Sequence, residues 1–416
     1  MLRLRTRLVL PIGCILTIGG CSDHPALSTT PNHSTVTTAA ESASAHEGRY
    51  IVVLKREAGD PRLAAERLTR AHGGELRHVY EHALRGFSAR LSPQAAEALS
   101  RNPVVEFVEP NKRFSIVGSG TQTSPPWNLD RIDQRDLPLN GAYQYAFSGA
   151  APLYGERGLR IYVLDTGIMT SHQEFVDPDG YVRAKVGYDA RPQDGQNGQD
   201  CHGHGTHVAA TAGGKTVGVA KSAELIAVRI TTQCLRGGSV DDGVKGIDWV
   251  AGNHGFTVGV MNLSWAVEDQ WGNETISYAV DNALYNAQWY GNLVGVAAAG
   301  NDNKDACYVS PAATARLAVG ATNSSDSRAP FSNRGSCVDI FAPGEGILSA
   351  ALDGGYRTDS GTSMAAPHVS GVLAQMVEQD PFITGTSAAQ AVLNRSTAGK
   401  VQNAGSGSPN RLVFSN

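Results

Sequence analysis

Cysteine is scarce in this chain: six residues in 416, with no two in the C-x-x-C spacing that pairs thiolates on a metal. A thiolate metal centre is therefore a weak reading. Excess positive charge is missing as well, with 35 Lys and Arg against 39 Asp and Glu and no basic stripe. That balance argues against a nucleic-acid partner. No internal repeat is visible, which speaks against a solenoid. The apolar stretch at residues 8–18 is too short, and too near the start, to span a membrane stably. What remains, 41% hydrophobic and 18% charged, is the composition of a soluble globular protein with chain enough for two or three units.

Residues 1–21, with Arg3, Arg5 and Arg7 ahead of the apolar stretch, read as a signal peptide. The segment ends Ile18-Gly19-Gly20-Cys21, the pattern of a bacterial lipobox, so Cys21 is a candidate for lipidation and the precursor for membrane anchoring. An ordinary secretory signal with an incidental cysteine is the alternative. Either way the chain is exported, where disulfides form. Residues 22–47, rich in Ser, Thr, Ala and Pro, read as a flexible tether.

Residues 48–116 alternate strand and helix signals in the order βαββαβ, a small α+β ferredoxin-like module. Residues 117–126 read as a linker, and from 127 to 416 a second pattern begins. Short apolar runs ending near Leu164, Arg229, Leu263 and Ala298 suit buried parallel strands. Between them, Val240, Val244, Ile247 and Val250 keep helical spacing, as do Ile276, Val280, Ala283, Leu284 and Ala287. The alternation predicts an α/β fold, a mainly parallel sheet flanked by helices. In such a fold, function belongs at the carboxyl ends of the strands, where Asp165, Ser264 and Asn301 fall.

Three segments carry chemistry. Gly361-Thr362-Ser363-Met364-Ala365-Ala366-Pro367-His368 places a serine at the start of an apolar helix, where N–H groups favour developing negative charge. Ser and Thr are also ordinary helix caps. Val163-Leu164-Asp165-Thr166-Gly167 and His202-Gly203-His204-Gly205-Thr206-His207-Val208 lie upstream. Asp, His, Ser is the subtilisin order of a catalytic triad. Two other readings compete. His202, His204 and His207 could share a metal, but no glutamate sits among them as in a zinc protease. Asp165-Thr-Gly and Asp359-Ser-Gly could form a carboxylate dyad, but the second copy follows no apolar strand.

With Ala298-Ala299-Gly300-Asn301 and the stretch 127–139 added, the chain resembles the subtilisin-like serine proteases, proteinase K and aqualysin branch, from about Gly48 to its end. The resemblance implies a subtilisin-like peptidase domain behind an inhibitor and chaperone pro-domain, with self-cleavage near residues 117–121 and a monomeric product. It makes Ser363 the nucleophile, His204 the base and Asp165 its orienting carboxylate. Asn301 and the Ser363 N–H become the oxyanion donors. Polypeptide substrates would add as a strand between Ser264-Trp265-Ala266-Val267 and Ala298-Ala299-Gly300, with an apolar or aromatic side chain in the first pocket. Trp265 and Ala266 depart from the family's Leu-Gly, and Ala210 replaces a usual Gly. Sequence alone allows three pairings of the four remaining cysteines; the resemblance implies Cys201–Cys234 and Cys307–Cys337. It also implies structural Ca²⁺ at Asp339 and at Asp130, Asp133 and Gln134, and no organic cofactor. The non-enzymatic alternative is an impaired, lipid-anchored peptide-binding protein on the same scaffold.

Overall fold

The computed structural model describes residues 48–111, 120–150, 159–255 and 258–416, except 83, 233 and 236. The expected signal peptide and tether, Cys21, and residues 117–119 of the expected linker lie outside the described residues. The division between two units falls between Ser115 and Ile116.

In the first unit, Pro and cap residues start both helices. Asp60 accepts the N–H groups of Arg62 and Leu63 ahead of α1 (Pro61–Ala71), and Ser92 accepts that of Ala95 ahead of α2 (Pro93–Ser100). Around them β1 (Arg49–Leu54), β2 (Glu75–Tyr80), β3 (Gly86–Arg90) and β4 (Val105–Pro110) form an antiparallel sheet in the order β2-β3-β1-β4. This is the expected ferredoxin-like arrangement. Val52, Leu68, Phe87 and Leu99 fill its core.

The second unit opens with β5 (Gly120–Thr123), which pairs antiparallel with β6 (Ala142–Tyr145) on either side of α3 (Trp127–Ile132). Within the expected linker, residues 120–123 alternate exposure as one strand of a ribbon. The strands β7 (Arg160–Asp165), β8 (Ala184–Asp189) and β9 (Glu224–Arg229) follow, separated by helix α4 (His204–Gly213) between the last two. Next come α5 (Val240–Asn253), β10 (Gly259–Leu263), α6 (Tyr278–Tyr290), β11 (Leu293–Ala298), β12 (Leu317–Thr322) and β13 (Ile340–Pro343). A two-stranded ribbon, β14 (Ile347–Ala350) and β15 (Tyr356–Asp359), leads into α7 (Thr362–Gln379) and α8 (Gly385–Arg395). The short strands β16 (Thr397–Ala398) and β17 (Arg411–Leu412) finish the sheet.

Nine strands order as β16-β17-β13-β12-β11-β10-β7-β9-β8, parallel except for the β16–β17 pair. Covered on both faces, β9 to β12 are buried at every residue, which is why they read as unbroken apolar runs. Adjacent strands β7, β10 and β11 bring Asp165, Ser264 and Asn301 to one edge. α7 is buried from Thr362 to Val377 and packs on α4 and on β10 to β13.

The α4–α7 contact depends on a glycine. A Cβ at Gly371 would lie 2.6 Å from the Cβ of Val219 and 2.7 Å from the Ala212 carbonyl. Overpacking costs typically about 1–3 kcal/mol. Gly371→Val, which brings more than that one carbon, is expected to lower the thermal midpoint by several degrees, read by circular dichroism, and to reduce turnover by separating the helices that carry His204 and Ser363.

Candidate active site

Asp165 closes β7 as a buried carboxylate, and its Oδ1 meets His204 Nδ1 at 2.8 Å. That oxygen also accepts the Thr166 N–H at 2.7 Å. The strand end and the helix carrying His204 are locked together by a residue that sequence reasoning missed. Asp200 accepts from the Thr166 hydroxyl, from the N–H groups of His202, Gly203 and Thr206, and from the Thr206 hydroxyl, at 2.6–2.9 Å. The Thr166 hydroxyl in turn accepts the Gly205 N–H at 2.8 Å. Gly205 permits this approach, since a Cβ there would lie 2.2 Å from the Gly167 carbonyl. The available signal was an Asp just ahead of a helix start, a capping pattern. Asp200 also adjoins Cys201, which is bonded to Cys234, while Cys307 is bonded to Cys337.

Ser363, at the first turn of α7, is 6% exposed. Its hydroxyl donates to the Ser264 carbonyl at 3.1 Å, and the Ser264 hydroxyl donates back to the Ser363 carbonyl at 2.8 Å. Asn262 steadies that second hydroxyl by donating to it at 2.8 Å. Asn301 accepts the Thr362 N–H and hydroxyl on its Oδ1, at 2.8 and 3.1 Å. With the amide oxygen engaged there, the NH₂ end is left for the cleft that Asn301 lines.

The cleft encloses about 500 Å³ and brings together Asp165, His204, Ser363, Asn301, Ser264, Trp265, Ala266, Ala298 and Gly300. Ala299 alone of the expected lining residues stands back, buried against Val338 and Phe341. Trp265 lines the cleft and also packs on α5. Its half-buried indole leans on α5, 3.2 Å from where a Cβ of Gly243 would be, and joins the cluster of Leu164, Ile230 and Ile247. The hairpin after it contributes Glu268, Asp269 and Glu274 to the lining, none of them anticipated.

The rival readings find no geometry. His207 turns away and donates from Nε2 to the Ile347 carbonyl at 3.0 Å. Asp359 pairs with Arg357 at 2.8 Å and is absent from the cleft lining. Among the described residues no group of three His, Cys, Asp or Glu side chains is placed to hold a metal. At the expected calcium positions, Asp130 accepts the N–H groups of Asn140 and Gly141, and Asp339 that of Ala318. Asp133 Oδ1 and Gln134 Oε1, by contrast, are buried oxygens with no hydrogen-bond partner.

Asp165, His204, Ser363 and Asn301, gathered on one cleft at the carboxyl edge of a parallel sheet, are the arrangement of a serine hydrolase of the Asp-His-Ser order. The comparisons make it particular. Residues 156–413 match the subtilase family and residues 37–116 match the peptidase inhibitor I9 family. An extracellular serine proteinase of Thermus sp. (strain Rt41A) is 40% identical over 96% of this chain and 97% of its own. Alkaline serine exoprotease A of Vibrio alginolyticus is 38% identical over 88% of this chain and 67% of its own. The crystal structure of a cold-adapted subtilisin-like serine proteinase, 41% identical, superposes with a TM-score of 0.63 over 71% of this chain and 99% of that one. The chain belongs to the subtilase family of serine proteases and carries an I9-type inhibitor pro-domain.

Burial holds two histidines beside the site uncharged. His207 and His368 are both pushed down to about 4, chiefly by burial. His368 donates from Nδ1 to the Met364 carbonyl at 2.8 Å and lies 2.7 Å from Asn128 Nδ2 through Nε2. Their unfolded value is about 6.5. Because the folded values are depressed, the unfolded chain takes up protons first as pH falls. These two histidines are therefore expected to contribute stability fully above about pH 6.5 and to lose it toward pH 4. Asp133 and Asp339, whose carboxyls burial pushes up to about 6, follow the opposite trend. Urea titrations of Ser363→Ala with and without a second change at His207 check this. Substituting His207 by Gln is expected to reduce the loss toward pH 4.

Proposed function

We propose that this chain is an exported serine endopeptidase, made as a self-processing zymogen, that cleaves peptide bonds through an acyl-enzyme. The observation that carries this is the convergence of Asp165, His204, Ser363 and Asn301 on one cleft. Ser363 Oγ attacks the substrate carbonyl carbon while its proton passes to His204 Nε2. Asp165, on Nδ1, holds the tautomer and offsets the imidazolium charge. Negative charge grows on the carbonyl oxygen, met by the Asn301 amide and the Ser363 N–H at the start of α7. His204 then protonates the leaving amine, and a water reverses the sequence on the ester. The alternative of an impaired peptide-binding protein, which the Trp265-Ala266 departure prompts, is not favoured: the Trp265 indole packs on α5.

Ala298, Gly300, Trp265 and Val267 favour an apolar or aromatic side chain in the first pocket. The carboxylates of Glu268, Asp269 and Glu274 on the same cleft favour a second reading, a basic side chain there. A peptide library separates the two: cleavage after Phe or Leu supports the first, after Lys or Arg the second. Ser363→Ala is expected to remain at precursor length while the wild type shortens to begin within residues 117–121. Identical lengths would contradict self-processing. With Cys21 lipidated, that cleavage would free the peptidase domain from its anchor, so the mature form is expected in the salt-washed soluble fraction.

The donor set near α3 fits calcium. Asp133 Oδ1 and Gln134 Oε1 are hard oxygens buried without partners, and burial pushes the Asp133 carboxyl up to about 6. Asp130, Asp133 and Gln134 would hold the ion by side-chain oxygens, with Asp339 serving a second position. EDTA is expected to lower the thermal midpoint of Ser363→Ala, and to lower it less once Asp133 is also changed to Ala. An EDTA-insensitive midpoint would exclude a structural ion.

A further inference from the structure

Glu274 belongs to none of the motifs, yet it grips the loop that presents the oxyanion donor. It arrives on a hairpin, closed by the Asp269 N–H to Asn273 carbonyl bond at 2.8 Å and the Thr275 N–H to Val267 carbonyl bond at 2.9 Å. Asp269 caps the turn by accepting the N–H groups of Trp271 and Asn273, both at 2.9 Å. From this frame Glu274 Oε1 accepts the Asn301 N–H at 2.5 Å, and Oε2 accepts Asn333 Nδ2 at 2.6 Å. Asn333 continues the grip. Its Nδ2 donates to the Ala299 carbonyl at 2.9 Å, and its Oδ1 accepts the N–H groups of Asp302 and Lys304 at 3.1 and 2.7 Å.

The loop is thus held from two sides. Thr362 fixes the Asn301 side chain through its Oδ1 and takes the Gly300 N–H at 3.1 Å. Glu274 fixes the Asn301 backbone. Gly300, at φ +102°, makes room, since a Cβ would lie 2.2 Å from both Glu274 Oε2 and Asn333 Nδ2. A charge-assisted acceptor on a single N–H, carried by a braced hairpin, stops the peptide from rotating and taking the amide off line.

We infer that Glu274 is a positioning residue for the oxyanion donor, acting on the reacting atoms only through Asn301. The inference rests on the reading of Asn301 as that donor. Because the carboxylate acts through Asn301, its removal matters only while the Asn301 amide is present.

The test is a double-mutant cycle in the full chain after maturation, with kcat and KM measured on a chromogenic peptide anilide. Asn301→Ala is expected to lower kcat by about 10²–10³-fold. Glu274→Ala is expected to lower kcat by about tenfold or more with KM within about twofold, as misplacement of a catalytic group does. The double variant is expected to be no slower than Asn301→Ala alone. Glu274→Gln, which keeps one acceptor for the Asn301 N–H, is expected to recover part of the loss, and it stands in if the alanine variant does not mature. Unimpaired Asn301→Ala would remove the donor reading and the inference with it. Impaired Asn301→Ala beside normal Glu274 variants, or losses that multiply in the double variant, would overturn the inference alone. So would a KM rise confined to substrates with a basic side chain in the first pocket, which would make Glu274 a substrate contact.

Discussion

The burial of α7 against the carboxyl edge of the parallel sheet is the constraint from which the site follows. A helix with no exposed face through sixteen residues, Thr362 to Val377, cannot shift without breaking packing on several strands at once. Its N-terminus therefore meets the ends of β7, β10 and β11 at a fixed place. Ser363 and Ser264 exchange hydrogen bonds there, tying Ser363 to the strand end beside it. The dipole of the same helix favours negative charge where the carbonyl oxygen would come to rest.

Three separate braces then set the groups that α7 does not carry. Asp200 joins the β7 end to the start of α4, so the Asp165–His204 contact is set by backbone rather than by two free rotamers. Thr362 orients the Asn301 amide from below. The hairpin through Glu274 holds the same residue by its backbone. Each brace joins polar groups to neighbouring protein groups, the arrangement that keeps a reacting geometry ready before substrate arrives.

Much of this was legible in the sequence, for reasons particular residues make plain. The strands ending at Asp165, Ser264 and near Asn301 are buried on both faces, so they appear as apolar runs with function-bearing ends. The motif around Ser363 is readable because a buried helix must be apolar all round. The ferredoxin-like module showed itself through its alternating strand and helix signals, and both its helices start at a proline behind a cap residue. What escaped was set by tertiary contact. Asp200 and Asn333 look like ordinary turn residues until their partners, distant in sequence, are placed. Residues 120–123 read as linker because a four-residue polar strand has no pattern of its own. Trp265 stood out only as a departure from the family's pattern, because sequence cannot show that the indole packs beside Gly243 on α5. Glu274 lies in a hairpin without apolar periodicity, so nothing local marked it.

The central claim is that Ser363 is an activated nucleophile at the point where these braces meet. The most direct measurement is labelling of the mature protein with a serine-directed organophosphonate, followed by peptide mapping by mass spectrometry. The account predicts one adduct per chain, on Ser363, formed in step with loss of peptidase activity and much more slowly in Asp165→Asn. Labelling on another serine, or full inactivation with Ser363 unmodified, would contradict it.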